Sequence, residues 1–456
     1  VSNILCIDVG TSTVKGACIT LDGEMLGFAA EHSLPKGQDT DEGIKPDVWI
    51  DRVKQVIFRL KQRKKSIAVA VSGHGPTLIP LDNCGKAIGS AIMWHTGDEF
   101  KIKKDRSLFL SKAAWLRERC PKVYETTESF LPCPEYINYF LTGEKAAIIP
   151  SDSFVRYLWT EESLNRYGLE KSKFPLFKKT GEKIGTIRKD AARKLGITEG
   201  IPVASCGPDF LMSLLGTATV ISGRTCDRAG TSEGINHCSD VAVADPRFRV
   251  LPHAVEGYFN VAGILSSTGR LFEWYRNISG QQDTDYGEMM ADILQAHRDE
   301  MKFFPTTHRG ASWEFLRGTF IGLGVHHGKR ELGQAVVESI GFAVRDTVEL
   351  IEKGGLTIDT LRVSGGQGKN PIWNQMKSDI TGKRILIPLI NDGELLGNCI
   401  CAAKMLGHQN TLKEGSLRMV SFCEEYIPDS GKHTFYSELF ASYMEQFSRI
   451  ITGVNI

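Results

Sequence analysis

Apolar positions in this chain follow two rhythms. Over residues 4–9 they run almost unbroken, the pattern of a strand buried on both faces. Asp8 interrupts that run just before a turn, Gly10-Thr-Ser-Thr13. Residues 14–21 and 24–31 resume strand patterning on either side of Leu21-Asp-Gly23, which predicts a meander. Residues 46–60 switch to helical spacing, with Val48, Ile50, Val53, Val56, Ile57 and Leu60 apolar. Residues 67–72 read as a buried strand running into Gly73-His-Gly-Pro-Thr77, and residues 77–81 as another. Residues 98–145 are more amphipathic and mostly helical, an insertion expected to cover a cleft. Residues 201–206 return to the strand pattern, and Gly207-Pro-Asp209 opens a helix to about Leu215. Further on, residues 259–265, 361–363 and 385–389 predict strands, and residues 331–353 and 394–406 predict helices. The alternation is that of an α/β protein.

At 456 residues the chain is too long for one core, so two domains of roughly 200 residues are expected. The boundary falls between 1–218 and 219–456. Lys plus Arg number 55 against 54 Asp plus Glu, a net charge of +1, which argues against nucleic acid or a membrane surface as the main partner. The basic cluster Lys61-Gln-Arg-Lys-Lys65 follows the helix at 46–60 and suits its negative C-terminal end. Eleven cysteines without disulfide-like spacing fit a reduced, cytoplasmic enzyme. Cys399 and Cys401 form a C-x-C with no second ligand pair, which reads as buried structure rather than zinc. No apolar run reaches the length of about eighteen residues that a membrane helix needs. The first strand starts near Ile4, so neither a signal peptide nor a DNA-binding helix pair is expected before it.

The chemistry suggested by the residues starts at Asp8. A carboxylate at a strand end, beside a turn of small residues with free N–H groups, can seat a hydrated metal ion and a phosphate. The plain alternative is a turn-capping aspartate. Arg228-Ala-Gly-Thr-Ser-Glu-Gly234 repeats the Gly-Thr-Ser turn in the second half, which suggests two similarly built domains facing one nucleotide. Asp209, after a buried strand and at a helix start, is the best candidate for a general base, or else a simple helix cap. Gly365 and Gly366 end a strand before a helix near Pro371, where a ligand or an ordinary turn would need them. No G-x-G-x-x-G with a downstream acid and no G-x-x-x-x-G-K-[ST] is present, which excludes the Rossmann and P-loop routes to a nucleotide.

These motifs resemble a known family. The Asp-x-Gly-Thr turn and the second Gly-Thr-Ser are similar to the two phosphate loops of the sugar kinase/Hsp70/actin superfamily. Lys112-Ala-Ala-Trp-Leu-Arg-Glu118, Pro121-Lys-Val-Tyr124 and Tyr139-Phe-Leu-Thr-Gly143 resemble the N-terminal signature of the FGGY carbohydrate kinases, with Phe109 and Arg119 departing from it. Gly318-Thr-Phe-Ile-Gly-Leu323 and Glu331-Leu-Gly-Gln-Ala-Val-Val-Glu338 fit the C-terminal signature, at the family's spacing. Gly207 to Gly216 is similar to the segment bearing the catalytic aspartate, and Val363-Ser-Gly-Gly366 with Asn370-Pro-Ile-Trp373 to the adenosine loop. Xylulokinase-like members are resembled most. The resemblance implies two actin-like (ribonuclease H-like) domains, each a mixed sheet flanked by helices, with a catalytic cleft between them near residues 217–223. It implies ATP, Mg²⁺ and a small sugar or polyol as ligands, with no nucleic acid or membrane partner, and a homodimer. It assigns Asp209 as base and Asp8 to Mg²⁺. It assigns Thr11, Ser12, Lys15, Gly230, Thr231, Ser232, Gly269, Gly365, Gly366 and Asn370 to the nucleotide. Gly269 is included because Ser266 to Tyr275 resembles a family segment near the phosphates.

The sugar pocket departs from the family. Where xylulokinases carry Gln-Met-His after Ser-Gly, this chain has His74-Gly75-Pro76-Thr77, and where they carry Trp-Asn-Asp it has Trp94-His95-Thr96. Pockets that hydrogen-bond hydroxyls discriminate sharply when such groups change, so xylulose is not carried over. His74, Gly75, Thr77, Trp94, His95 and Asp209 are the expected substrate contacts, although His74 and Trp94 could equally be plain core residues. Three functions follow in order: a sugar or polyol kinase, a non-sugar ATPase of the same superfamily, and an inactive, sugar-binding kinase-like protein or regulator.

Overall fold

The computed structural model describes residues 1–33, 43–94, 96–296, 300–306 and 313–453. The chain folds into two compact units. The first takes 1–218 and also 252–257 and 393–420; the second takes 219–251, 258–392 and 421–456.

In the first unit, Asn3–Val9, Thr13–Ile19 and Met25–His32 form the antiparallel meander. Asn3–Val9 then pairs in parallel with Ser66–Gly73, and that strand with Pro202–Pro208, while Lys183–Thr186 closes the edge antiparallel. The central strand is buried along its whole length, as its unbroken apolar run requires. Helix Asp47–Arg59 lays Trp49, Ile50, Val53, Val56 and Ile57 into the core beside Leu5, Ile7, Val69 and Val71. Of the basic cluster after it, Arg63 donates to the carbonyls of Phe58 and Leu60, occupying two of the last acceptors of the helix.

Two departures from the sequence expectation stand out. The stretch 98–145 is not all helix: Ser129–Pro132 is a buried strand paired antiparallel with Leu78–Leu81. Four residues are too few to show a period, so helical neighbours masked it. The second departure is Gly393–Met405. Its helical pattern was read correctly, but the helix belongs to the first unit, not to a continuous second domain. Small residues explain the placement. A Cβ on Gly397 would collide with the Met212 carbonyl, and one on Gly216 with the Gly393 carbonyl, so helices Asp209–Gly216 and Gly393–Met405 meet backbone to backbone. Asn398 then donates to the Ile7 carbonyl at 2.8 Å, fixing the helix to the central strand.

The second unit repeats the hairpin theme. Thr225–Ala229 and Glu233–Ser239 are antiparallel, and Thr225–Ala229 pairs in parallel with Thr360–Ser364. The sheet runs Arg249–Pro252, Phe259–Leu265, Glu233–Ser239, Thr225–Ala229, Thr360–Ser364, Arg384–Pro388, Phe422–Tyr426. Helix Lys329–Lys353 buries Val344, Val348 and Ile351 against it. Lys377 of helix Pro371–Thr381 is fully buried and bonds Asp227 and Glu233, each at 2.6 Å. Burial alone would depress this ammonium, but the two carboxylates outweigh it and raise its pKa.

The close helix crossing gives a test. Gly397→Val forces a branched side chain into the Met212 backbone. Denaturant unfolding should show a loss of about 1–3 kcal/mol or more, the usual cost of overpacking. Wild-type stability in this variant would mean that the crossing is loose.

Candidate functional site

The first unit gathers carboxylates around its first turn. The Gly10 N–H donates to the Thr13 carbonyl at 3.1 Å, and Ser33 ties down the Gly10 and Ser12 carbonyls from its Oγ and N–H, at 2.6 and 2.9 Å. Thr11 and Ser12 are exposed at the tip. Asp8 lies under the turn, only 3% exposed. Ser72 donates to its Oδ1 at 2.7 Å, and Asn398 donates to Ser72 at 2.9 Å. Burial pushes the Asp8 carboxyl up to about 7; Glu394 and Asp209 add to that, while Lys15 and the Ser72 hydroxyl oppose it.

Glu394 and Ser72 were missed by the sequence reading. Glu394 starts helix Gly393–Met405, is 6% exposed, and its Oε2 has no hydrogen-bond partner. A charged residue opening a helix of Leu, Gly, Cys, Ile and Ala was the available signal. Three carboxylates sharing one partly buried site suit a hard, oxygen-loving cation. Among the described residues no group of three or more acids, histidines or cysteines is placed to hold a bare metal ion. The C-x-C plays no such part: Cys399 Sγ faces the Thr20 carbonyl at 3.4 Å and Cys401 Sγ faces Met212 Sδ at 3.5 Å.

Asp209 is the first residue of helix Asp209–Gly216, one position inside the cap, which is Pro208. There its carboxylate feels the positive end of the helix. Its charge acts on Asp8, His74 and Cys133, so the structure brings the expected base, metal and substrate residues into one neighbourhood. His74 is buried, shares a hydrogen bond from Nδ1 with Thr77 Oγ1 at 3.1 Å, and meets Trp49 edge-on at 5.2 Å. Its Nε2 has no partner. Burial lowers its pKa to about 4 against the pull of Asp209, so the ring is neutral near pH 7. Gly75 is exposed beside it. Trp94 is 52% exposed, so it is not the plain core residue of the alternative reading. His95 lies outside the described residues.

The second unit gathers the remaining nucleotide candidates. Thr231 and Ser232 are exposed at the tip of their turn. Gly269 lies against that turn, where a Cβ would collide with the Gly230 carbonyl. Gly365 has φ +100°, and a Cβ there would sit 2.6 Å from the Ala229 carbonyl, so only glycine fits. Gly366 beside it is open to solvent. Asn370 caps helix Pro371–Thr381 by accepting from the Trp373 N–H at 3.1 Å, and donates to the Tyr286 carbonyl at 3.2 Å.

The chain is similar to known proteins. The model of the FGGY family of carbohydrate kinases, N-terminal domain, matches residues 102–216, and that of the C-terminal domain matches 228–406. A xylulose kinase of Lactococcus lactis is 23% identical over 97% of this chain and 96% of its own length. An autoinducer-2 kinase of Klebsiella pneumoniae is 24% identical over 99% and 96%. The crystal structure of ligand-bound xylulose kinase from Lactobacillus acidophilus superposes with a TM-score of 0.83 at 21% identity, covering 99% of this chain and 98% of that one. The fold is the two-domain, actin-like α/β fold of the sugar kinases. Among the described residues no helix is long and apolar enough to cross a membrane.

Asp8 makes a pH prediction. Its folded pKa, about 7, lies above its ordinary value, so the folded state holds the proton more tightly and ionisation opposes folding. The contribution is favourable at low pH and is lost as pH rises toward 7. Asp8→Asn removes that loss. Its stability advantage over wild type should be absent near pH 4, grow to about pH 7, and level off at a few kcal/mol. Denaturant midpoints across pH measure it; a pH-independent difference would show that Asp8 titrates alike in the folded and unfolded chain.

Proposed function

Because the chain belongs to the FGGY family of carbohydrate kinases, phosphotransferases with an alcohol group as acceptor, we propose that it transfers the γ-phosphate of ATP to a hydroxyl of a small open-chain ketose or polyol. The observation that carries the reading is Asp209 at a helix start beside Asp8 and the partnerless Nε2 of His74.

In this reading the acceptor hydroxyl gives its proton to Asp209 as its oxygen attacks phosphorus, and ADP leaves with the bridging electron pair. Asp8 and Glu394 would hold hydrated Mg²⁺, which would neutralise polyphosphate charge. Thr11, Ser12 and Lys15 would bind phosphate oxygens, as would Thr231 and Ser232. Gly365, Gly366 and Asn370 receive the adenosine, and His74 with Thr77 binds an acceptor hydroxyl. The surroundings of Asp209 are acidic and His74 is neutral, which favours an uncharged acceptor over a sugar acid. His74-Gly-Pro-Thr77 in place of the usual xylulokinase residues argues against a preference for xylulose. The reading places the enzyme in the cytoplasm, where its thiols stay reduced.

ADP release measured over ketoses, polyols and sugar acids tests the class, with wild type compared with Asp209→Asn. The wild type should turn over with an uncharged acceptor, and its best substrate should not be D-xylulose alone. Asp209→Asn should cut kcat by on the order of 10²–10⁴ with acceptor and ATP still bound. Near-normal turnover in this variant would leave Asp209 a helix-terminal residue only. ATP hydrolysis indifferent to every acceptor would favour an ATPase.

A further inference from the structure

In the second unit, the Gly-Thr-Ser turn and the glycine loop are joined through one side chain. Gln367 lies in the short helical turn Gly366–Lys369, between strand Thr360–Ser364 and helix Pro371–Thr381. Its Nε2 donates to the Gly230 carbonyl at 3.0 Å and to Thr268 Oγ1 at 3.3 Å. Its Oε1 accepts from Trp373 Nε1 at 3.1 Å. One amide therefore ties together the turn at Gly230, the start of helix Thr268–Ile278 and the helix that follows the glycine loop. Thr268 and Trp373 are buried, and the Trp373 N–H is held in turn by Asn370, so both anchors are themselves fixed.

The turn has two kinds of polar group, and Gln367 sorts them. Carbonyl oxygens repel an anion, and N–H groups and hydroxyls attract it. The Gly230 carbonyl is taken by Gln367 and the Thr231 carbonyl by the Arg270 N–H at 3.2 Å. Thr231 and Ser232 stay exposed at the tip. Lower in the hairpin, Lys377 of the same helix bonds Asp227 and Glu233, one on each strand. That cluster fixes the strands, whereas Gln367 reaches the turn itself.

We infer that Gln367 is a positioning residue, holding the Gly230–Ser232 turn with its donors presented to the polyphosphate of a bound nucleotide. The inference rests on the nucleotide reading of this unit. Loss of the amide frees the Gly230 carbonyl to swing toward the ligand, so the effect falls on the phosphates rather than on adenosine.

The test compares ATP with AMP by calorimetry. Gln367→Met keeps the side-chain length and removes all three hydrogen bonds. ATP affinity should weaken by about 5–30-fold, the loss of one or two net hydrogen bonds, with AMP affinity within about 2–3-fold of wild type. Thr268→Val, which removes one acceptor, should shift the ATP to AMP ratio in the same direction by less, and it carries the test if Gln367→Met does not fold. Equal losses for ATP and AMP, no loss, or tighter ATP binding would overturn the positioning role. A wild-type chain that binds neither nucleotide would overturn the reading beneath it.

Discussion

Asp8 sits at the end of a strand that is buried on both faces, and the first unit is arranged around the cost of its negative charge. The strand has no solvent edge on which to place a carboxylate, and Glu394 and Asp209 add charge of the same sign nearby. A buried carboxylate is tolerated when it is protonated, hydrogen-bonded or matched by a cation. Ser72, oriented by Asn398, supplies the hydrogen bond, and Lys15 supplies part of the opposing charge. The remaining imbalance is what a hydrated divalent cation and its nucleotide would relieve. Glycine contacts that bring helix Gly393–Met405 onto helix Asp209–Gly216 also put Glu394 within reach of Asp8. Packing and electrostatics are thus one arrangement.

The second unit solves its buried charges internally. Burial and the neighbouring Glu233 raise the Asp227 pKa well above its ordinary value, against the pull of Lys377. Lys377 bonds one oxygen of each carboxylate, and Asp227 Oδ1 and Glu233 Oε2 are left without a partner. The cluster serves as scaffold for the turn at Gly230, whereas in the first unit Glu394 and Asp209 add like charge near the buried Asp8. The two hairpins look alike in sequence, and their charges do different work.

Much of this was legible in the residues. Strands 4–9 and 201–206 were visible because burial on both faces leaves an unbroken apolar run, and the two hairpins because Gly-Thr-Ser recurs between strand patterns. Asp8 and Asp209 were legible as charges out of place in such runs. What escaped depends on three dimensions. A helical period shows that residues 394–406 bury a face but not against which sheet, so their membership of the first unit was missed. Ser129–Pro132 is too short to show a period. Glu394 is distant from Asp8 in sequence, and only the fold makes them neighbours. For His74 the residues left ligand and core equally open, and the structure shows a buried ring with a partnerless Nε2, while exposure removes Trp94 from the core.

In the proposed reaction Mg²⁺ would match the buried charge of Asp8 during phosphoryl transfer. The Mg²⁺ concentration that gives half-maximal acceptor-dependent turnover measures this most directly, at saturating ATP and acceptor, in wild type and in Asp8→Asn. The requirement should rise by about tenfold or more in the variant, with the acceptor KM little changed. An unchanged Mg²⁺ requirement would contradict it, leaving Asp8 as a turn residue whose charge the reaction does not use.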